Sequence, residues 1–228
     1  MSETIFDLAP AITVPIIGER ADFPINRIFC VGRNYAAHAA EMGNEVDRTA
    51  PFYFTTSPAN VSLGGTVAYP AGTDDYHHEV EFVVALGSGG ADIAVEEALS
   101  CVYGYGVGLD MTRRDLQAAA KDKRRPWCLG KDGEAGTILS SLTKAEDFGA
   151  IDAQRICLTK NEEIVQDSTL SLMVHNVPEL IAHLSRYYTL TAGDIILTGT
   201  PEGVGPAVVG DRLKATIDGT SALEVEFV

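Results

Sequence analysis

Glu79 and Glu81 flank Val80 in the segment HHEVEF, and the run of β-formers continues through Phe82, Val83, Val84, Ala85 and Leu86. Side chains alternate across a strand, so the two carboxylates project from one face. The rest of the run is apolar enough to be buried, and two buried acids so close repel each other unless a cation lies between them. A hard metal ion resolves that conflict. Asp110 offers a third oxygen, because it follows the glycine-rich run YGYGVGLD and precedes MTRRDLQ, where a strand gives way to a helix. Three hard oxygens with positions left for water or substrate suit Mg²⁺ or Mn²⁺, with Ca²⁺ also accommodated. The plain alternative is an amphipathic strand with a wet polar face, followed by an Asp110 that caps the next helix. Arg114, Gln117 and Lys131, all downstream of glycines that permit close backbone approach, weigh toward a site.

In VGRNYAAHAAEMGNEVDR, His38 and Glu41 are three residues apart on a short predicted helix and share a face. A carboxylate that orients an imidazole makes a general base near neutral pH, whereas an exposed surface pair is the competing reading. Gly32 and Gly43 flank this helix, as the hinges of a lid would. Lys131 lies in PWCLGKDGEAGTILS, where Gly130, Gly133 and Gly136 predict an irregular, close-packed loop from which an ammonium can stabilise an anion. LTGTPEGVGP presents amides and the hydroxyls of Thr198 and Thr200, either a nest for a carboxylate or a tight turn. The G-x-G-x-G run at 104–108 is not followed by a helix at dinucleotide spacing, which excludes a Rossmann fingerprint.

These residues need a scaffold, and 228 residues with 46% hydrophobic content are enough for one well-filled domain. The short β-like runs ITVPII, RIFCVG, FYFT, EVEFVVALG, YGYGVGL, QRICLT, GDIILTG, DRLKATID and LEVEFV outnumber the helical patterns at Tyr35–Met42, Val95–Ser100, Thr112–Asp122 and Val177–Tyr187. Strands and helices do not alternate, so an α+β fold with mixed or antiparallel sheets is expected rather than a doubly wound one. Residues 1–22, broken by Pro10, Pro15 and Gly18, read as a short N-terminal arm before a single domain of residues 23–228. Seventeen basic and 32 acidic residues leave a net charge of −15, which opposes nucleic acid and anionic membranes as partners. With no leader pattern and no apolar stretch near the roughly 20 residues that span a bilayer, a soluble, cytoplasmic protein is expected. Cys30, Cys101, Cys128 and Cys157 show no metal or disulfide spacing and read as reduced core thiols.

Taken together, VGRNYAAHAAEMG, YHHEVEF, YGVGLDMTRRDLQ, PWCLGKD and DIILTGTPEGVGP resemble the fumarylacetoacetate hydrolase family, in particular its short members that act on acylpyruvates. The resemblance runs from about Arg27 to Leu213. It implies a β-rich, mixed-sheet roll, a homodimer, and a divalent cation on Glu79, Glu81 and Asp110. It also implies that His38 and Glu41 activate water on a lid, that Arg114, Gln117 and Lys131 hold substrate oxygens and developing charge, and that Arg33 and Thr200 bind substrate. One departure is Thr56, which stands where many close members have a lysine in F-T-K-P. The implied activity is hydrolysis of a carbon–carbon bond in a 2,4-dioxo acid such as fumarylpyruvate, with Arg33 and Arg114 available to a second carboxylate. Oxaloacetate decarboxylation or 2-hydroxymuconate-type isomerisation would use the same metal without an attacking water, so His38 and Glu41 favour hydrolysis. A non-catalytic metal-binding assembly domain is the reading outside enzymes.

Overall fold

The computed structural model describes residue 5 and residues 10–228. The strand Val80–Leu86 is buried at every position and lies inside an eight-stranded mixed sheet. Its neighbours, Asp194–Leu197 and Val102–Asp110, are both antiparallel to it. Beyond Asp194–Leu197 come Arg27–Gly32, parallel, and then Phe52–Thr56. Beyond Val102–Asp110 come Thr137–Leu139 and Val61–Ser62, and Thr143–Lys144 pairs with the same long strand. Burial on both faces explains why the central strands are continuous apolar runs instead of alternating ones.

A five-stranded sheet runs in the order Glu163–Thr169, Arg155–Lys160, Arg212–Ile217, Leu223–Phe227, Gly65–Val67. It shares one core with the larger sheet, in which Val80, Phe82, Val84 and Leu86 join Ile156, Leu158, Leu213, Val225 and Phe227. Val83 and Ala85 face the other way, into a second cluster with Ile28, Cys30, Leu139, Ile195 and Leu197. The period of two therefore puts Glu79 and Glu81 on the side of Val83 and Ala85. Gly108 pairs with Glu81, so Asp110 falls on that side too, and its N–H donates to the Glu79 carbonyl at 2.9 Å. The expected α+β, sheet-rich roll is what forms.

Three short helices border the site: α1 (Ala36–Glu41), α2 (Arg114–Asp122) and α3 (Cys128–Lys131). The helix Val177–Leu184 starts at a capping box between Asn176 and Glu179 and buries Leu180, Ile181 and Leu184, the spacing read from sequence. Other expectations are corrected. Val95–Cys101 is a 3₁₀ helix. Thr112–Arg113 pairs as a strand with Tyr76–His77, so α2 begins two residues later than its periodicity suggests. Cys128 is exposed, whereas Cys30, Cys101 and Cys157 are buried thiols. Thr13–Val14 pairs with Phe23–Pro24, and Val14 and Ile16 join the second cluster. Within the expected arm it is Val14 and Ile16 that bury apolar surface against the domain; residues 1–4 and 6–9 lie outside the described residues. Among the described residues no helix is long and apolar enough to cross a membrane.

Candidate active site

One oxygen from each of Glu79, Glu81 and Asp110 lies within 4.8 Å of the others, and all three side chains are buried. Lys131 reaches in between them: its Nζ donates to Glu79 Oε2 at 2.5 Å and to Asp110 Oδ2 at 2.7 Å. Arg114 donates to the other oxygen of Glu79 and, at 2.8 Å, to Gln117 Oε1. Glu81 accepts only the Gly199 N–H, at 2.8 Å, and Asp110 Oδ1 is buried without a partner.

Electrostatics divide the three acids. Burial alone would raise the Glu79 carboxyl, but the Lys131 ammonium and Arg114 guanidinium outweigh it and hold the group well below the usual carboxylate range. Burial pushes Asp110 up to about 6 despite Lys131. Burial and the neighbouring Asp110 raise Glu81 well above its ordinary value. Lys131 itself is raised, since its three acidic neighbours overcome its own desolvation. Two cations against three carboxylates leave an uncompensated acid and an orphan oxygen, and that donor set fits a hard divalent ion.

Close backbone approach builds this arrangement at two glycines. A Cβ on Gly130 would come 2.9 Å from Gln117 Cβ, so its absence lets α3 pack directly on α2 and brings Lys131 beside Arg114 and Gln117. The stretch expected to be an irregular loop is therefore one turn of helix. Gly199 has φ +96° and would place a Cβ 2.8 Å from Asn34 Cβ, which only glycine avoids while aiming its N–H at Glu81.

The entry to α1 is clamped as well. Asn34 donates to the carbonyls of His175 and Thr198 at 2.9 and 2.8 Å and accepts the His175 N–H, fixing the entry to α1. Arg33, just before it, holds a left-handed φ of 58° and is exposed at the mouth of the cleft. His38 Nδ1 lies 3.4 Å from Glu41 Oε2, and Glu41 also accepts the Gly203 N–H at 3.1 Å. Burial lowers the His38 imidazole pKa more than Glu79 and Glu41 raise it, so the ring is a neutral base at pH 7 with Nε2 available.

His38, Glu79, Glu81, Asp110, Arg114, Gln117, Lys131, Arg33 and Thr200 all line one cleft, and Glu41 stands behind His38. Arg114 is held at the inner end of the cleft by Glu79 and Gln117. Thr198 bonds the Phe82 carbonyl and is structural, whereas Thr200 accepts Gln166 Nε2 at 2.9 Å and keeps its O–H to donate. Thr56 is buried and donates to Asp132 Oδ1 at 3.0 Å, alongside the Ser57 N–H and Asn60, and so steadies the residue after Lys131. Sequence reasoning missed Asn34, Gln166 and Gly199, whose bonds to His175, Val80 and Glu81 each span more than 80 residues. It also missed Lys121 and Trp127 in the cleft wall, although Lys121 follows Gln117 by one helical turn.

An acid cluster at the open end of a rolled mixed sheet, with His38 on a short helix beside it, defines a class, and the chain belongs to the fumarylacetoacetate hydrolase family. Residues 27–228 match the domain described as fumarylacetoacetate (FAA) hydrolase C-terminal. The chain is 44% identical to a fumarylpyruvate hydrolase from Ralstonia sp, over 81% of this chain and 97% of that protein. It is 40% identical to a mitochondrial oxaloacetate tautomerase of Arabidopsis thaliana, over 88% of this chain and 89% of the relative. The crystal structure of fumarylpyruvate hydrolase from Pseudomonas aeruginosa, in complex with Mn²⁺ and pyruvate, superposes with a TM-score of 0.96 at 40% identity, covering 99% of both chains.

Proposed function

We propose that the domain of residues 23–228 hydrolyses a carbon–carbon bond in an acylpyruvate, with fumarylpyruvate the preferred substrate and fumarate and pyruvate the products. The observation that carries the reading is the His38–Glu41 pair on the same cleft as the acid cluster, because enolate chemistry alone needs no water-activating base. A 44% identical fumarylpyruvate hydrolase and a near-superposable one with Mn²⁺ and pyruvate support it.

Glu79, Glu81 and Asp110 would hold Mg²⁺ or Mn²⁺, which when bound supplies Lewis-acid polarisation and charge neutralisation at the 2-oxo acid end. His38 Nε2 takes a proton from water while Glu41 steadies the imidazolium at Nδ1. The water oxygen bonds to the distal carbonyl carbon. Lys131 has three N–H bonds, two of them held by Glu79 and Asp110, so one remains for the oxyanion, a contribution of about 3 to 4 kcal/mol for a well-placed donor. When the oxyanion collapses, the bond between the third and fourth carbons breaks, and its electron pair leaves with pyruvate as the enolate, which takes up a proton. The acyl half leaves as the carboxylic acid. Thr200 donates its hydroxyl to the pyruvoyl end and Gln117, oriented by Arg114, lines the floor.

A second reading, tautomerisation of oxaloacetate, is favoured by the Arabidopsis relative and needs only proton transfer at the carbon beside the carbonyl. Incubating the Mg²⁺- or Mn²⁺-loaded protein with fumarylpyruvate, acetylpyruvate and oxaloacetate, while following enol absorbance and pyruvate release, separates the two. Hydrolysis requires stoichiometric pyruvate from fumarylpyruvate; keto–enol exchange of oxaloacetate without acylpyruvate cleavage would overturn the proposal.

A further inference from the structure

Arg114, Gln117 and Lys121 follow one another at i, i+3 and i+7 along α2, so one helix face runs from the acid cluster to the cleft mouth. Arg114 and Gln117 are held at the inner end, by Glu79 and by each other. Lys121 is different. It lines the same cleft, is half-buried, and holds its ammonium 4.9 Å from the centre of the Trp127 ring. Among the described residues no carboxylate stands within ion-pair distance of Lys121 or of Arg33, the other cation at the mouth. Burial first, then Arg114 and Arg33, lowers the Lys121 pKa, as expected for a cation that faces cations and lacks an acid.

We propose that Lys121, lying against Trp127 and acting with Arg33, forms a subsite for the far carboxylate of a dicarboxylic 2-oxo acid. The proposal rests on the acylpyruvate reading for the position of the near end. Reach supports it. Seven helical residues rise about 10 Å, and a lysine stem reaches back toward the cluster. An extended seven-carbon diacid such as fumarylpyruvate advances roughly 1.2 Å per bond, about 7 Å from end to end. A diacid held at the cluster by its 2-oxo acid end therefore brings its second carboxylate level with the Lys121 ammonium, whereas a four-carbon diacid falls short. Trp127 limits where the ammonium can settle and shields it on one side, so less ordering remains when the anion arrives.

The test uses uncleavable ligands. Trp127 is the only tryptophan of the chain, so its fluorescence reports directly on this subsite. The Mg²⁺-loaded protein is titrated with 2-oxopimelate and with 2-oxoheptanoate, which match in length and differ in the second carboxylate. The parent should bind the diacid about tenfold or more tightly, the size of one charge-assisted contact. Lys121→Met should bring that ratio toward one, and Lys121→Arg should restore it. A preference that survives in Lys121→Met, equal weakening of both ligands, or no diacid preference in the parent overturns the subsite. Because neither ligand is cleaved, a protein that binds as predicted yet fails to hydrolyse fumarylpyruvate would refute the activity and leave the subsite standing.

Discussion

Lys131→Met removes the one ammonium that lies between Glu79 and Asp110 while keeping the length of the side chain. Lys131 is only 4% exposed and donates to both acids, so the variant leaves two buried carboxylates without their shared partner. Breaking a buried pair in this way costs about 3 to 5 kcal/mol, a large part of the 5 to 15 kcal/mol that holds a typical domain folded. A divalent cation in the acid cluster reverses the comparison, because it neutralises the same oxygens and no longer meets the repulsion of the ammonium. Metal should therefore stabilise Lys131→Met by more than it stabilises the parent, with the excess approaching the metal-free loss. Urea unfolding of both proteins, followed by the single tryptophan in chelator and in saturating Mg²⁺, measures all four corners of the cycle. An equal loss with and without metal, or no loss in chelator, would show that Lys131 and a metal do not share these carboxylates.

Further outcomes follow from the same geometry. Glu81→Gln should abolish metal-dependent stabilisation and turnover, read by calorimetric Mg²⁺ titration and by pyruvate release. His38→Ala should slow acylpyruvate hydrolysis by about 10² to 10⁴-fold at unchanged metal affinity, measured by steady-state rates and the same titration. Gly130→Ala should destabilise the fold by about 1 to 3 kcal/mol through the clash with Gln117, and should lower kcat as α3 shifts. The pH dependence has a definite sign. Asp110 has a native pKa of about 6, above its unfolded value of 3.8, so the native state binds the extra proton between them and the metal-free protein gains stability as pH falls through 6. His38 and His78 act oppositely, since burial lowers both and each must charge as pH falls. Both imidazoles also feel the Glu79 charge, so the difference between the chelated and Mg²⁺-loaded curves reports the acid cluster together with these histidines.

The acid cluster was legible because strand parity is strict. Glu79 and Glu81 had to share a face once the run to Leu86 was a strand, and Asp110 closed an adjacent glycine-rich one. The His38–Glu41 pair was legible from helical spacing alone. Lys131 was recognised as a cation but not as the resting partner of two acids, because that contact depends on how α3 packs over Gly130. Gln166 illustrates the limit. It bonds the Val80 N–H, Thr200 and the Pro201 carbonyl from a strand on the other sheet, and nothing local in EIVQDST marks it. That strand itself went unread because Glu163, Gln166 and Asp167 dilute its apolar pattern, as did the two- and three-residue strands that long-range pairing alone stabilises. Lys121 stood in plain view at i+4 from Gln117; composition gave no reason to prefer it to the neighbouring lysines and arginines.

The central claim is that water, activated at His38, cleaves the acyl half from pyruvate. The most direct measurement is turnover of fumarylpyruvate by the Mg²⁺-loaded protein in H₂¹⁸O, with the products resolved by mass spectrometry. Hydrolysis predicts one solvent oxygen in the carboxylate of each fumarate released, with an equal amount of pyruvate and near-complete loss of both in His38→Ala. Interconversion of enol and keto forms with no labelled fumarate would contradict it.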